Sequence, residues 1–175
     1  MNKSKSHECT SCGKSVTLER RNYRYTESGL SNVVLQGIEI ADCPHCGNED
    51  IIIPRMQKIH RTIAKALANS PSRLNGEQLR FLRNHLGFTG EKLASYLHTD
   101  RTKISKWESG KDPIGNTTDR LLRLLVTVLD TELRPGVSLV AEHLPLIEDE
   151  SGKLWELHID AATLQSSFFT ASQAA

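Results

Sequence analysis

Two cysteine knuckles restrict this chain more than any other feature: Cys9-Thr10-Ser11-Cys12-Gly13 and Cys43-Pro44-His45-Cys46-Gly47 hold all four of its cysteines. Two residues between cysteines let both sulfurs of one turn face a single ion, and the glycine that follows lets the backbone curl around it. Two such knuckles give tetrahedral sulfur ligation, and the ligand chemistry favours zinc on Cys9, Cys12, Cys43 and Cys46. The competing readings are iron in a rubredoxin-like site and two disulfides. Rubredoxin-like sites sit in aromatic-rich domains, and this region has only Tyr23 and Tyr25. Disulfides do not persist in a reducing compartment. Four thiolates leave no open position for water or substrate, so the ion is expected to stabilise a thin core and not to catalyse. His7 and His45 flank the ligands and read as solvated neighbours.

The residues between the knuckles read as strands: Val16-Thr17-Leu18, Tyr23-Arg24-Tyr25, a turn at Glu27-Ser28-Gly29, then Val33-Val34-Leu35 and Ile38-Glu39-Ile40. A hairpin here brings the knuckles together. Ile51-Ile52-Ile53 reads as a last short strand. After Pro54, Met56, Ile59, Ile63, Ala66 and Leu67 recur at helical spacing up to the break at Asn69-Ser70-Pro71-Ser72.

The next segment carries the most ordered signals. Leu79, Leu82 and Leu86 mark one helix face, closed by Gly87. Thr89 reads as the cap of a second helix through Leu93, Ala94 and Leu97, with Phe88 stapled to Leu93. His98-Thr99 is a tight turn, and Asp100 caps a third helix that turns Ile104 and Trp107 inward and stops at Gly110. Three short helices in this order make a helix-turn-helix. Thr117 to Leu129 is a longer apolar helix with more leucine and valine than one small core requires, so part of it is expected to bury a second copy of the chain.

In this motif the third helix enters the major groove of double-stranded DNA. With Ile104 and Trp107 inward, Arg101, Thr102, Lys103 and Lys106 face outward; Arg101 can grip guanine, and Lys106 can reach a base or a phosphate. Thr89 and Gly90 place backbone N–H groups where a phosphate sits, although Glu91 makes that site less welcoming. Glu108 is expected to pair locally.

A net charge of +1 over 175 residues would be weak support for a nucleic-acid partner, but its distribution is uneven. Residues 1–74 carry 11 Lys/Arg against 7 Asp/Glu, residues 75–123 carry 9 against 6, and residues 124–175 carry 2 against 8. An acidic end cancels a basic body. No stretch approaches the ~20 apolar residues of a membrane span, and the Lys-Ser-rich start lacks a signal-peptide core, so a cytoplasmic protein is expected. The seven histidines are scattered, with no Ser/His/Asp constellation and no phosphate-cradling glycine loop, which argues against an enzyme.

The expected fold class is therefore α+β in two domains: a β-rich four-cysteine zinc module over 1–53, a connecting helix and linker over 54–72, and an all-α helix-turn-helix domain over 73–132. An acidic extension over 133–175 follows, in which Leu154 to Ile159 alternates as a strand does.

Leu93-Ala94 followed by Ile104-Ser105-Lys106-Trp107-Glu108-Ser109-Gly110 resembles the Xre (Cro/repressor) helix-turn-helix family. The cysteine module before it, with Leu35-Gln36-Gly37-Ile38 ahead of the second knuckle, is similar to the MqsA, or YgiT-type, zinc-finger antitoxins. The joint resemblance covers roughly residues 9–130. It implies an amino-terminal module that binds zinc and a toxin, and a helical domain that forms a homodimer on a palindromic operator in its own promoter. The family reads bases with an Asn and an Arg; Thr102 and Lys106 stand at those positions here, so the operator sequence does not carry over. The extension after residue 133 has no counterpart in short members of that family. The resemblance implies a repressor and antitoxin of a type II toxin–antitoxin pair; the alternative is a stand-alone zinc-containing regulator sensing a metal, an oxidant or a protein.

Overall fold

The structure, a computed structural model, describes residues 6–147 and 155–170. Its backbone organises around one long strand. Val33 to Leu35 and Ile38 to Ile40, expected as two runs, are a single strand β4 (Val33–Asp42). Strand β3 (Glu19–Arg24) pairs antiparallel with it: Arg21 lies opposite Ile38 and Tyr23 opposite Leu35, so one residue of β3 faces two of β4. Gly37 absorbs this bulge at φ +71°, a conformation open to glycine at no steric cost. The far end of β4 pairs with β5 (Glu49–Ile52), and β1 (Ser6–Glu8) with β2 (Ser15–Thr17) forms a separate two-stranded ribbon.

Helix α1 (Met56–Ala68) follows β5 and lays Ile59, Ile63 and Leu67 into the core. Then come α2 (Gly76–His85), α3 (Gly90–Tyr96), α4 (Arg101–Glu108) and α5 (Asn116–Leu129), with boundaries close to those expected.

The carboxyl-terminal part differs most from expectation. Helix α6 (Val137–His143) buries Val140, and α6 packs on α5. The expected strand at 154–159 is found as β6 (Trp155–Asp160), Leu154 lying outside the described residues. With β7 (Ser166–Thr170) it forms a hairpin that joins the amino-terminal sheet, β6 running parallel to β4 with Val33 opposite Leu157 and Leu35 opposite Ile159. Residues 155–170 of what composition presents as an acidic appendage are thus an integral part of the sheet. Leu157 and Ile159 are fully buried in the same cluster as Val33, Leu35, Ile59 and Ile63, while Glu156 faces the other side and pairs with Arg24 at 2.7 Å. Parallel pairing needs a long crossover, and here the whole helical region supplies it.

One apolar cluster runs from Tyr25 and Ile38 in the sheet through Ile59 and Leu67 to Leu79, Leu93, Trp107 and Leu122 in the helices. A second, small cluster of Cys9, Val16, Ala41 and Cys43 lies at the knuckle end. The class is α+β, and the joint between its two parts is packed. Arg123, with none of its surface exposed, forms an ion pair with Asp119 one turn before it on α5 (2.9 Å). It donates to the carbonyls of Leu67, Ser70 and Ser72 at 3.2, 2.6 and 2.6 Å, while Asp119 accepts from the Leu74 amide at 2.8 Å. The end of α1 and the link after it are thereby fastened to α5.

A second tie is Asp130, which accepts from His85 at 2.9 Å and Arg61 at 3.2 Å. Burial pushes its carboxyl up, but the His85 ring, the Glu132 amide and Arg61 outweigh that and hold it below the ordinary aspartate value. Its stabilising contribution is therefore complete above the ordinary aspartate value and is lost as pH falls through the lowered one.

Arg123→Met leaves Asp119 buried and unpaired, so it is expected to destabilise the chain by about 3–5 kcal/mol in urea unfolding, with part of that recovered when Asp119 is also made apolar. Asp130→Asn is expected to flatten the fall in melting temperature below about pH 4 relative to the native chain.

Candidate metal centre and nucleic-acid interface

Both knuckles are built the same way. The Gly13 amide returns to the Cys9 carbonyl and the Gly47 amide to the Cys43 carbonyl, each at 2.9 Å, with both glycines in the left-handed region. The Cys9 amide bonds the Lys14 carbonyl as the Cys43 amide bonds that of Asn48. The first knuckle lies between β1 and β2, the second between β4 and β5, and β2 meets β4, so the sheet brings the two turns face to face. Cys9 Sγ lies 3.6 Å from Cys46 Sγ, and Cys12 Sγ lies 3.5 Å from Cys43 Sγ. All four sulfurs fall within 4.8 Å of one another. Tetrahedral bonds of about 2.3 Å to one ion put sulfurs roughly 3.8 Å apart, so the donor set fits a single metal ion. Cys9 and Cys43 are buried, Cys12 and Cys46 exposed. Burial pushes the Cys43 thiol up, but the amides of His45 and Cys46, with the neighbouring thiols, outweigh it and bring it down to about 6.

Composition and spacing missed Asp50. Its buried carboxylate accepts from the Thr10 amide at 2.9 Å, from the Thr10 hydroxyl, and from Asn48 at 2.8 Å, with His7 at 3.4 Å. It therefore latches the first knuckle to the second strand of the other. The hydrogen bonds from Thr10, first its hydroxyl and then its amide, hold the carboxyl below the ordinary aspartate value. The available signal was a pair of acids, Glu49-Asp50, heading the apolar run Ile51-Ile52-Ile53.

In the helical part the local expectations are met in detail. Gly87 (φ +65°) closes α2: its amide bonds the Asn84 carbonyl and the Phe88 amide bonds the Arg83 carbonyl, the paired pattern of a Schellman end. The Thr89 hydroxyl accepts from the Lys92 amide and Asp100 from the Lys103 amide, capping α3 and α4. A capping box at α2 was not foreseen: Asn75 and Gln78 exchange side-chain and backbone bonds, each at 3.0 Å. Gly76 beside it is also unforeseen. A Cβ there would lie 2.5 Å from the Trp107 carbonyl oxygen and 2.7 Å from that of Glu108, so only glycine lets α2 start against the end of α4. Glu108 pairs locally as expected, gripping Arg83 at 2.6 and 3.2 Å.

On α4, Ile104 and Trp107 are buried, and Arg101, Thr102, Lys103 and Lys106 all stand on the exposed side. The Lys103 ammonium lies 5.9 Å from the Trp107 ring centre. Arg101 is not unaccompanied: its Nε lies 3.0 Å from Glu91 Oε1, and a Cβ on Gly90 would meet its Cγ at 3.6 Å. Thr89 and Gly90 begin α3 beside it. The Glu91 carboxyl is held below the ordinary glutamate value, first by its own backbone N–H and then by Arg101 and the Thr89 hydroxyl, against an opposing effect of burial. One backbone N–H at this helix start, that of Glu91, thus already serves a carboxylate. On α5, Leu121, Val128 and Leu129 are exposed, as is Leu139 on α6.

A helix-turn-helix domain family model matches residues 76–128, from the first residue of α2 to the penultimate residue of α5. No curated protein and no solved structure matches the chain. The match supports a DNA-binding transcriptional regulator, and the four-cysteine cluster adds a site that can hold a metal ion. Among the described residues no helix is long and apolar enough to cross a membrane.

Because the knuckles rest on their own small cluster, Cys43→Ser or a strong chelator is expected to abolish stoichiometric metal binding and loosen residues 6–18 and 43–50 in amide exchange. The amides of α1 to α5 should keep their protection.

Proposed function

We propose that the chain is a sequence-specific transcriptional repressor that binds a palindromic operator as a homodimer, carries zinc on Cys9, Cys12, Cys43 and Cys46, and serves as the antitoxin of a toxin–antitoxin pair that represses its own promoter. The observation that carries the DNA reading is the exposed side of α4. Cationic and hydroxyl side chains, Arg101, Thr102, Lys103 and Lys106 among them, occupy it, on a helix held by Trp107, Ile104 and the Arg83–Glu108 pair inside a matched helix-turn-helix. Arg101 is assigned to guanine, Thr102 to a neighbouring base, Lys106 to a base or phosphate, and Lys103, Thr89 and Gly90 to the backbone on either side.

Dimerisation is supported by the exposed Leu121, Val128 and Leu129 of α5, continued by Leu139 of α6, an apolar stripe that a second copy would cover. A two-fold axis there is expected to set the recognition helices about 34 Å apart, one turn of duplex. Zinc is favoured over iron by the donor set in a region poor in aromatics, and the ion would hold the knuckles together without an open coordination position. The antitoxin role and the toxin-binding role of the cysteine module rest on resemblance in module order.

The deciding measurement is binding to duplex from upstream of the chain's own gene, over a salt series and beside a scrambled duplex. Selective binding is expected, with Arg101→Ala and Lys106→Ala each costing ~1–3 kcal/mol where they read bases. Equal affinity for both duplexes overturns the autoregulator. Co-expression with the product of the adjacent gene tests the antitoxin role: growth arrest not relieved by this chain removes that role and leaves the DNA reading standing.

A further inference from the structure

We propose that Glu91 is a specificity-determining residue for DNA that acts through Arg101, presenting its guanidinium to a guanine while weakening the phosphate contact that Thr89 and Gly90 make at the start of α3. The inference rests on the reading of Arg101 as a base reader. Arg101 is the first residue of α4, where side chains of this motif meet base edges. Its stem lies within van der Waals reach of Gly90, and its Nε lies 3.0 Å from Glu91 Oε1 in an ion pair. That contact places the carboxylate beside Nε, away from the Nη1 and Nη2 end. The Nη1 and Nη2 ends are then available together, and a bidentate contact to guanine O6 and N7 needs two coplanar N–H groups.

Glu91 suits this part because it stands across the turn from Arg101, within ion-pair distance of it. It sits in the first turn of α3, where its own backbone N–H and the Thr89 hydroxyl favour the carboxylate. A free arginine would search many rotamers before docking; one already directed by a carboxylate loses less freedom on binding. The same negative charge stands where a helix start would otherwise attract a phosphate. It therefore weakens contacts that any duplex offers while favouring the one that a correct duplex supplies, and specificity is the difference between the two. Both side chains are largely exposed, Arg101 at 74% and Glu91 at 61%, so the pair is open to an incoming duplex and its removal does not disturb the core.

The test selects a randomised duplex library with the full-length native chain, Glu91→Gln, Arg101→Ala and the double variant, sequences the bound fraction, and follows binding of selected and random duplex over a salt series. The native chain is expected to select a guanine that Arg101→Ala no longer selects. Glu91→Gln is expected to lower that preference about 3- to 10-fold while tightening random-duplex binding about 2- to 3-fold with a steeper salt dependence. In the Arg101→Ala background, Glu91→Gln should leave base preference unchanged. An unaltered guanine preference in Glu91→Gln overturns the proposal, and so does an equal loss with and without Arg101, which would make Glu91 a direct reader of cytosine. A guanine preference that survives Arg101→Ala instead overturns the reading of Arg101 on which the proposal stands.

Discussion

The buried pair of Arg123 and Asp119 is the constraint on which the rest of the architecture depends. A guanidinium with no exposed surface is costly to bury, and it is tolerated here because Asp119 offsets its charge and a fan of backbone carbonyls takes its remaining protons. Those carbonyls belong to the last turn of α1 and to the link before α2, groups that a helix end leaves without partners. One side chain on α5 thus closes α1, fixes the link and sets where α2 begins. Asp119 completes the fastening through the Leu74 amide, next to Asn75, the cap of α2. Without this pair a polar link of serine, proline and asparagine would have little reason to hold one shape.

The consequence is a molecule whose metal end and recognition helix are tied by more than a tether. A stack of rings, Tyr25 on His60, His60 edge-on to Phe81, Phe81 on His85, passes from the sheet through α1 to α2 and ends on the Asp130 carboxylate. Glu77 of α2 accepts from Ser31 in the turn before β4 at 2.8 Å. The hairpin of β6 and β7 extends the sheet and packs against α1, and Arg55 at the start of that helix donates to the Ala162 carbonyl at 2.8 Å. The knuckles are therefore held at a set orientation to α4.

Much of the local structure was legible in the residues because it depends on short-range chemistry. The knuckles announce themselves by two cysteines and a glycine; the turns of the helix-turn-helix announce themselves by Gly87, Thr89, Asp100 and Gly110, whose backbone preferences act within a few residues. Trp107 and Ile104 were placed inward by spacing alone. Asp50 was hidden because its partners, Thr10 and His7, lie some forty residues away, and Gly76 because its reason is the backbone of α4, not anything beside it in the chain. Glu91 was seen as an obstacle to phosphate, but its contact with Arg101 crosses the turn and appears only when both helices are in place.

The sequence by itself determined most elements up to α5, the caps of α3 and α4 and the two cysteine knuckles, since each follows from periodicity, backbone preference and residue chemistry within a window of a few residues. Only the tertiary structure decided that the acidic end returns as a parallel strand beside β4, that Arg123 lies wholly inside, and that the two parts share one core. Strand partners and buried ion pairs are chosen by geometry between distant segments. Composition, which made residues after 133 look like a solvated tail, does not register that every second residue of β6 is apolar and that the strand joins a sheet begun over a hundred residues earlier.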